Sequence, residues 1–186
     1  MAYHDGVLEI VSPILYEHEF VSSRLRLIVA VIAERMGLPY QGADSTTFRR
    51  KGVGPADGKG KEPDQSFYIT SLGRLPRHRN PNLDAGDPPP DLWIEVDHRV
   101  SSAGRLPVYA GLGVPEVWRY RARRKTLQFL RLVDGSYEPI EHSLCLPNLT
   151  PTMVLTALAL GDDRFEYEWL PILRDWVART IPAGQD

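Results

Sequence analysis

The chain has 186 residues, 42% of them hydrophobic, and a formal net charge of −2. This length suits one well-buried core, so we expect a single domain over residues 1–186. The apolar runs are too short to cross a bilayer, no secretory signal is recognisable, and the single Cys145 excludes an internal disulfide and a cysteine-based zinc site. We therefore expect a reduced, cytoplasmic protein with no membrane contact.

The first part of the chain predicts short strands around one long helix. Apolar residues recur at helical spacing after Tyr16, and Gly37 followed by Pro39 is typical of a helix end. The expected elements are a strand over 6–11, a helix over about 16–36, a strand near 39–48, a loop over 52–61 and a strand over 66–69.

The second part predicts further strands and then helices. Asp134-Gly135 is typical of a hairpin turn, and Thr150-Pro151 of a helix start. The expected elements are a surface loop over 73–90, a strand over 92–97, a short helix over 104–111, a strand over 116–120, a hairpin with arms 126–133 and 137–141, and C-terminal helices with a packing stripe of Phe165, Trp169, Ile172 and Trp176. This order predicts an α/β fold with a mixed central sheet flanked by helices and a C-terminal helical extension.

Two acids stand in apolar segments of strand type. Asp64 precedes Ser66-Phe67-Tyr68-Ile69, and Glu95 lies within Trp93-Ile94-Glu95-Val96-Asp97. Aspartate and glutamate form strands poorly and are rarely buried without a partner, so two of them on neighbouring strands indicate a shared cation. Oxygen ligands suit Mg²⁺ or Mn²⁺, and such a site suggests metal-assisted phosphodiester hydrolysis. The alternative is that Pro63-Asp64 is a turn entry and that the Glu95 segment is the polar face of an edge strand.

Asp97 and Arg105 are the further candidates for this site. Side chains alternate along a strand, so Asp97 shares a face with Glu95 and could act as a third ligand or accept from a neighbouring group. Such sites commonly have Lys at that position. Arg105 lies four residues before Tyr109, and the helix face they share can look back at the acids. Arg105 would then be an electrostatic clamp and not a base, and the alternative is a surface helix charge.

Histidines and basic stretches leave more than one interpretation open. His18 lies in Glu17-His18-Glu19 at the start of the long helix, where an acid could assist a metal, but a simple helix-dipole effect is favoured. His98 is equally ambiguous. Two basic stretches are either solvated surface or phosphate contacts. They are Arg49, Arg50, Lys51, Lys59 and Lys61 in the first stretch, and Arg119, Arg121, Arg123, Arg124, Lys125 and Arg131 in the second.

Five segments together resemble the Uma family of restriction-endonuclease-like proteins, within the PD-(D/E)XK nuclease superfamily. They are residues 16–20, 45–50, 62–69, 88–97 and 105–120, of which the run from Gly113 to Trp118 is the most specific. The resemblance implies a restriction endonuclease-like core in which Asp64 and Glu95 are the motif acids and metal ligands. It implies that Asp97 occupies the usual Lys position, and that Arg105 on the following helix compensates.

The expected function is a Mg²⁺- or Mn²⁺-dependent endonuclease that hydrolyses phosphodiester bonds in nucleic acid, with DNA as the expected substrate. Its catalytic residues would be Asp64, Glu95, Asp97 and Arg105. A homodimer is expected, because cutting both strands of a duplex favours a two-fold assembly. The alternative is a catalytically inactive nucleic-acid-binding or scaffold protein that retains the nuclease fold. Asp97 and Arg105 favour that alternative, whereas the two intact acids favour catalysis.

Overall fold

The structure is a computed structural model that describes residues 2–4, 7–9, 16–52, 58–98 and 101–184. Within these residues ten strands and four α-helices are present. The strands are β1 Ala2–His4, β2 Val7–Glu9, β3 Gln41–Gly42, β4 Phe48–Arg50, β5 Lys59–Lys61, β6 Gln65–Tyr68, β7 Leu92–Asp97, β8 Glu116–Arg121, β9 Thr126–Val133 and β10 Ser136–Ile140. The helices are α1 Tyr16–Arg35, α2 Leu106–Leu112, α3 Pro151–Ala159 and α4 Glu166–Thr180. Short 3-10 helices cover Leu72–Arg74, Leu83–Ala85, Ser102–Arg105 and Ala122–Arg124.

The described strands form a six-stranded mixed sheet in the order β10-β9-β8-β7-β6-β3. Strands β7 and β8 are parallel, from Leu92 opposite Glu116 to Asp97 opposite Arg121, and α2 connects them. The other neighbours in this sheet are antiparallel. This arrangement confirms the predicted α/β class and is that of a restriction endonuclease-like fold.

Helices cover both faces of the sheet because β7 is apolar on both. Ile94 and Val96 pack into a core cluster with α1, α3 and α4. Trp93 packs on the opposite face with Tyr109 of α2. Because side chains alternate along a strand, Glu95 shares the face of Trp93 and is directed to the α2 side. The fold thereby buries one acid beneath α2.

A second, four-stranded sheet has the order β2-β1-β5-β4. Strand β5 pairs with β4, with Lys61 opposite Phe48, and both strands lie against α2. This small sheet brings a basic strand close to the face of β7 that carries Glu95. The strand expected over 6–11 corresponds to β2, and its residues 6, 10 and 11 lie outside the described part of the chain.

The single strand expected near 39–48 is wrong. The segment divides into β3 in the main sheet and β4 in the small one. Between them, Asp44 has a φ of 41° and the Thr46 N–H donates to Ala43 O across 3.0 Å. A left-handed residue in a turn ends a strand, so the chain leaves the first sheet here. The loop expected over 52–61 likewise contains β5, and residues 53–57 lie outside the described residues.

Several local predictions are confirmed, and each has a local physical cause. Helix α1 has acids in its first turn and Arg35 in its last, which complement the helix dipole. The turn between β9 and β10 has positive φ at Asp134 and Gly135, as a two-residue hairpin turn requires. Thr150 caps α3 by accepting from the Met153 N–H across 3.3 Å. Within the described residues no helix is both long and apolar enough to cross a membrane.

The packing stripe predicted for the C-terminal helix is confirmed at Trp169, which is buried, and at Trp176, which packs half-buried against the same core, and it is wrong at Phe165. The buried residues of α4 are Trp169, Leu173 and Val177, whereas Phe165 is 74% exposed. Phe165 is the N-cap of α4, and its N–H donates to Glu168 Oε2 across 3.0 Å. An N-cap residue has an extended backbone, so its side chain leaves the helical face that the periodicity assigned to it.

Candidate active site

Asp64 lies between β5 and β6 and is tied to the strand that carries the second acid. Its Oδ2 accepts a hydrogen bond from the Val96 N–H at 2.7 Å, and Val96 directly follows Glu95 in β7. The same oxygen lies 3.1 Å from His18 Nε2 on α1. The tertiary structure therefore brings the two predicted acids together, and it adds a histidine from the first turn of α1.

Glu95 is a buried carboxylate with polar neighbours at both of its oxygens. The side chain is 2% exposed, and Oε1 accepts from Trp93 Nε1 at 2.8 Å. Lys61 Nζ lies 3.5 Å from Oε1, and Arg105 Nη1 lies 3.7 Å from Oε2. Burial and the charge of Asp64 raise the pKa of Glu95, while Lys61, Trp93 and Arg105 lower it, and the resulting pKa is about 7. Even with Lys61 and Arg105 close by, ionisation of Glu95 is thus costly in this buried position.

Lys61 is the site residue that sequence reasoning missed. Its sequence context places it among the cations of a loop, but it ends β5, is buried, and donates to the Glu62 carbonyl as well as facing Glu95. The signal that could have identified it is its place three residues before Asp64, in Lys61-Glu62-Pro63-Asp64. Lys61 is close in sequence to Asp64, but the small sheet places its side chain against Glu95.

Arg105 and Tyr109 lie where the sequence predicted, on the side of α2 that faces Glu95. Arg105 ends the 3-10 helix that leads into α2, and its guanidinium contacts Glu95. The Tyr109 ring stacks on Trp93 with centroids 5.3 Å apart. Burial, followed by the charge of Glu95, raises the pKa of the Tyr109 phenol well above its usual range. The Tyr109 phenol is therefore protonated and neutral, and it packs beside Glu95.

Asp97 shares the face of Glu95 but is engaged elsewhere. Its Oδ1 accepts from the Ser102 N–H at 2.7 Å, and its Oδ2 accepts from Arg119 Nη2 at 2.8 Å. Arg119 also donates to the Ser102 and Ser101 hydroxyls. The structure thus joins Asp97 to the turn that leads into Arg105 and not to the Asp64–Glu95 pair. Its predicted role as a ligand or water-orienting group stays a prediction.

The histidines left open by the sequence both meet carboxylates. The hydrogen bond and charge of Asp64 raise the pKa of His18 to about 8, against the opposing effect of burial. His98, which follows β7, has Nε2 2.9 Å from Glu17 Oε2. The first turn of α1 therefore contacts both β7 and the Asp64 segment, and is more than a solvated helix start.

The donor chemistry of this site fits a hard divalent cation. Asp64 and Glu95 supply carboxylate oxygens, and the pKa effect of one on the other records a mutual repulsion that a shared cation would remove. Within the part of the chain that the structure describes, no cluster of three or more His, Cys, Asp or Glu side chains suits a metal. Two carboxylates completed by water are typical of Mg²⁺, which retains several waters.

One comparison with known proteins gives the family. The sequence profile of Uma2, described as "Putative restriction endonuclease", matches residues 1–161. The chain therefore belongs to the Uma2 family, and a nuclease function is suggested by that membership. No curated protein matches the chain in sequence. Helix α4 lies beyond the matched residues.

Proposed function

We propose that this protein is a divalent-metal-dependent endonuclease that hydrolyses phosphodiester bonds in DNA. The observation that carries the proposal is the pairing of Asp64 with the Glu95 strand, with the cations Lys61 and Arg105 against Glu95. Two acids and two cations in one partly exposed site match the needs of phosphodiester hydrolysis, in which an anionic substrate gains charge in the transition state. Family membership supports the same class of reaction.

In this proposal Asp64 and Glu95 would hold Mg²⁺ or Mn²⁺. Such a metal, when bound, would supply Lewis-acid polarisation of the phosphate and a lowered pKa of water. The Val96 N–H and His18 fix the position of Asp64 Oδ2, and Trp93 Nε1 fixes Glu95 Oε1. Both carboxylates are held by hydrogen bonds from rigid elements, so little reorganisation is needed when substrate arrives.

Lys61 and Arg105 stabilise the charge that develops on the phosphate. Arginine is permanently protonated and forks onto phosphate oxygens, so Arg105 acts as a clamp and not as a base. Lys61 adds a second positive group from the opposite wall, on β5. Between them they supply the positive charge that a Lys at position 97 would have provided.

Asp97 is proposed to position Arg105 and not to contact the substrate. Its contacts with Arg119 and the Ser102 N–H hold the turn from which Arg105 projects.

For the whole protein we propose a homodimer, because two sites related by a two-fold axis could cut both strands of a duplex. Sedimentation velocity of the purified protein tests this: a single monomeric species at all concentrations and with DNA present would contradict it.

Nicking of supercoiled plasmid tests the enzymatic proposal. Wild type is expected to nick with Mg²⁺ or Mn²⁺ and not with EDTA, and Asp64→Ala and Glu95→Ala are expected to lose the activity, because each removes a metal ligand. Glu141→Ala is the matched control, since Glu141 is an exposed acid after β10. Nicking that survives in either acid variant places the activity elsewhere, and no nicking with either metal contradicts an enzyme.

A second candidate function is a non-catalytic DNA-binding protein with the same fold. The observation that favours it is the engagement of Asp97 by Arg119 where the superfamily has Lys. Plasmid that stays intact with both metals, together with duplex binding that weakens steeply as salt rises, would establish this candidate in place of the first.

A further inference from the structure

A groove of about 1090 Å³ lies beside strands β4 and β5. Its cations outnumber its acids by two, although the whole chain has a net charge of −2. The charged lining residues are Arg49, Arg50, Lys51, Lys59, Glu62 and Asp84. Hydroxyl and amide side chains, which can donate to phosphate oxygens, complete the lining.

The two acids of this groove accept hydrogen bonds from neutral groups, and no ion pair within the described residues involves the groove's four cations. The Thr47 hydroxyl donates to Glu62, and the Lys51 N–H donates to Asp84 Oδ1 at 2.9 Å. Among the described residues, no acidic side chain lies within 4.0 Å of the charged groups of the four lining cations. The groove therefore presents a concentrated positive surface.

Arg50 and Lys59 are held side by side within this surface. They are directly opposite in the antiparallel pairing of β4 with β5, where like charges destabilise a sheet. Arg50 Nη1 lies 3.4 Å from Gly111 O at the end of α2. Lys59 crosses Gly111 so closely that a Cβ there would lie 2.2 Å from Lys59 Cδ. An anion bound between the two side chains would relieve their repulsion.

Strand β5 connects the groove to the candidate active site. Residues two apart point to one face of a strand and are roughly 6.5 Å apart, so Lys59 and Lys61 form a row. Lys59 lines the groove, and Lys61 lies 3.5 Å from Glu95. A chain of phosphates that follows this row would pass from the groove to the paired acids.

We infer that this groove binds the backbone phosphates of the DNA strand that is cut. The inference rests on the proposed function for the location of the scissile phosphate, at Lys61 and Arg105. Contacts with phosphate position a nucleic acid without reading its bases, so the groove supplies affinity and register and not sequence preference.

Binding of a fluorescein-labelled 20-bp DNA duplex tests the inference, measured by anisotropy across a salt series in EDTA so that no cleavage occurs. The groove variant carries Arg49→Gln, Lys51→Gln and Lys59→Gln. The matched control removes three cations from the second basic stretch, through Arg123→Gln, Arg124→Gln and Lys125→Gln. Circular dichroism and thermal midpoints check that both variants fold.

The groove variant is expected to bind the duplex at least tenfold more weakly, and its slope of log affinity against log salt should be shallower by about 2 to 3, since each phosphate contact contributes about 0.9. The control should bind as wild type does. Wild-type affinity in the groove variant, loss of affinity in the control instead, or no binding by wild type would overturn the inference. If wild type fails to nick plasmid but binding still depends on the groove, the nuclease proposal falls and the groove's role in binding remains.

Discussion

Single side chains decide the electrostatics of this site. Glu95 is buried, its pKa is raised to about 7, and the cations that lower that pKa come from different elements. Lys61 belongs to β5 and Arg105 to the 3-10 helix before α2. Removing either cation would leave the Glu95 carboxylate less compensated, so its pKa would rise further.

Lys61 should matter for nicking as much as a motif residue does. Lys61→Met keeps most of the volume but removes the charge 3.5 Å from Glu95, and the rate of plasmid nicking is expected to fall by about 10²-fold or more, as on loss of an electrostatic stabiliser. Lys125→Met, at an exposed position, is the control and should nick at the wild-type rate. A Lys61→Met protein that folds and nicks normally would remove Lys61 from the mechanism.

His18 should report the charge of Asp64. In metal-free protein its pKa is about 8, chiefly because of the hydrogen bond with Asp64, and Asp64→Asn should lower it toward 6.5. Because the folded-state pKa is raised, the pair stabilises the fold below about pH 6.5 and this stabilisation is lost as pH rises through 8. An NMR titration of the imidazole resonances measures the shift. Glu141→Gln should leave the His18 pKa unchanged, and an unaltered value in Asp64→Asn would contradict the assigned pair.

At the scale of elements, α1 is joined to the segment before α4 by one buried guanidinium. Arg24 donates to Gly161 O at 2.7 Å and to Arg164 O at 2.6 Å. Its guanidinium carbon lies 4.7 Å from the Trp169 ring centroid. This contact holds the first turns of α1, which carry His18, against the C-terminal helix.

Gly161 is the position at which this junction can be tested. A Cβ there would lie 2.2 Å from Arg24 Nη1 and 3.0 Å from Trp169 Cδ1, so Gly161→Ala is expected to destabilise the protein by about 1 to 3 kcal/mol. Chemical denaturation measures the change. Gly73→Ala meets nothing within 4 Å and serves as the control. Equal stability of the two variants would show that the junction tolerates the added methyl group.

For the whole molecule, helix α4 lies outside the Uma2 match but packs against the part of the chain that the match covers. The match ends at residue 161, and α4 packs its buried residues on the core that α1 shares. Arg35 of α1 also donates to Ile181 O, just after α4. Helix α4 therefore helps to hold α1 in place. Since α1 carries His18, which contacts Asp64, this packing also helps to position the site.

Much of this architecture follows from local chemistry and could be predicted from the sequence. The hairpin at Asp134-Gly135 and the end of α1 before Gly37 each depend on residues close together in the chain, and the strand-like segments beside Asp64 and around Glu95 can each be recognised on their own. Alternation along β7 also predicts that Glu95 and Asp97 share a face. These features hold because backbone conformation and side-chain period are set within a few residues.

Tertiary structure alone decided the rest. Four features depend on residues that are distant in sequence. They are the division of the 39–48 segment between two sheets, the contact of Lys61 with Glu95, the contact of His18 with Asp64 and the pairing of Asp97 with Arg119. Periodicity indicates which face of an element is apolar but not which element will cover it. The identity of a buried charge's partner depends on that packing, because desolvation and Coulomb attraction act through space and not along the chain.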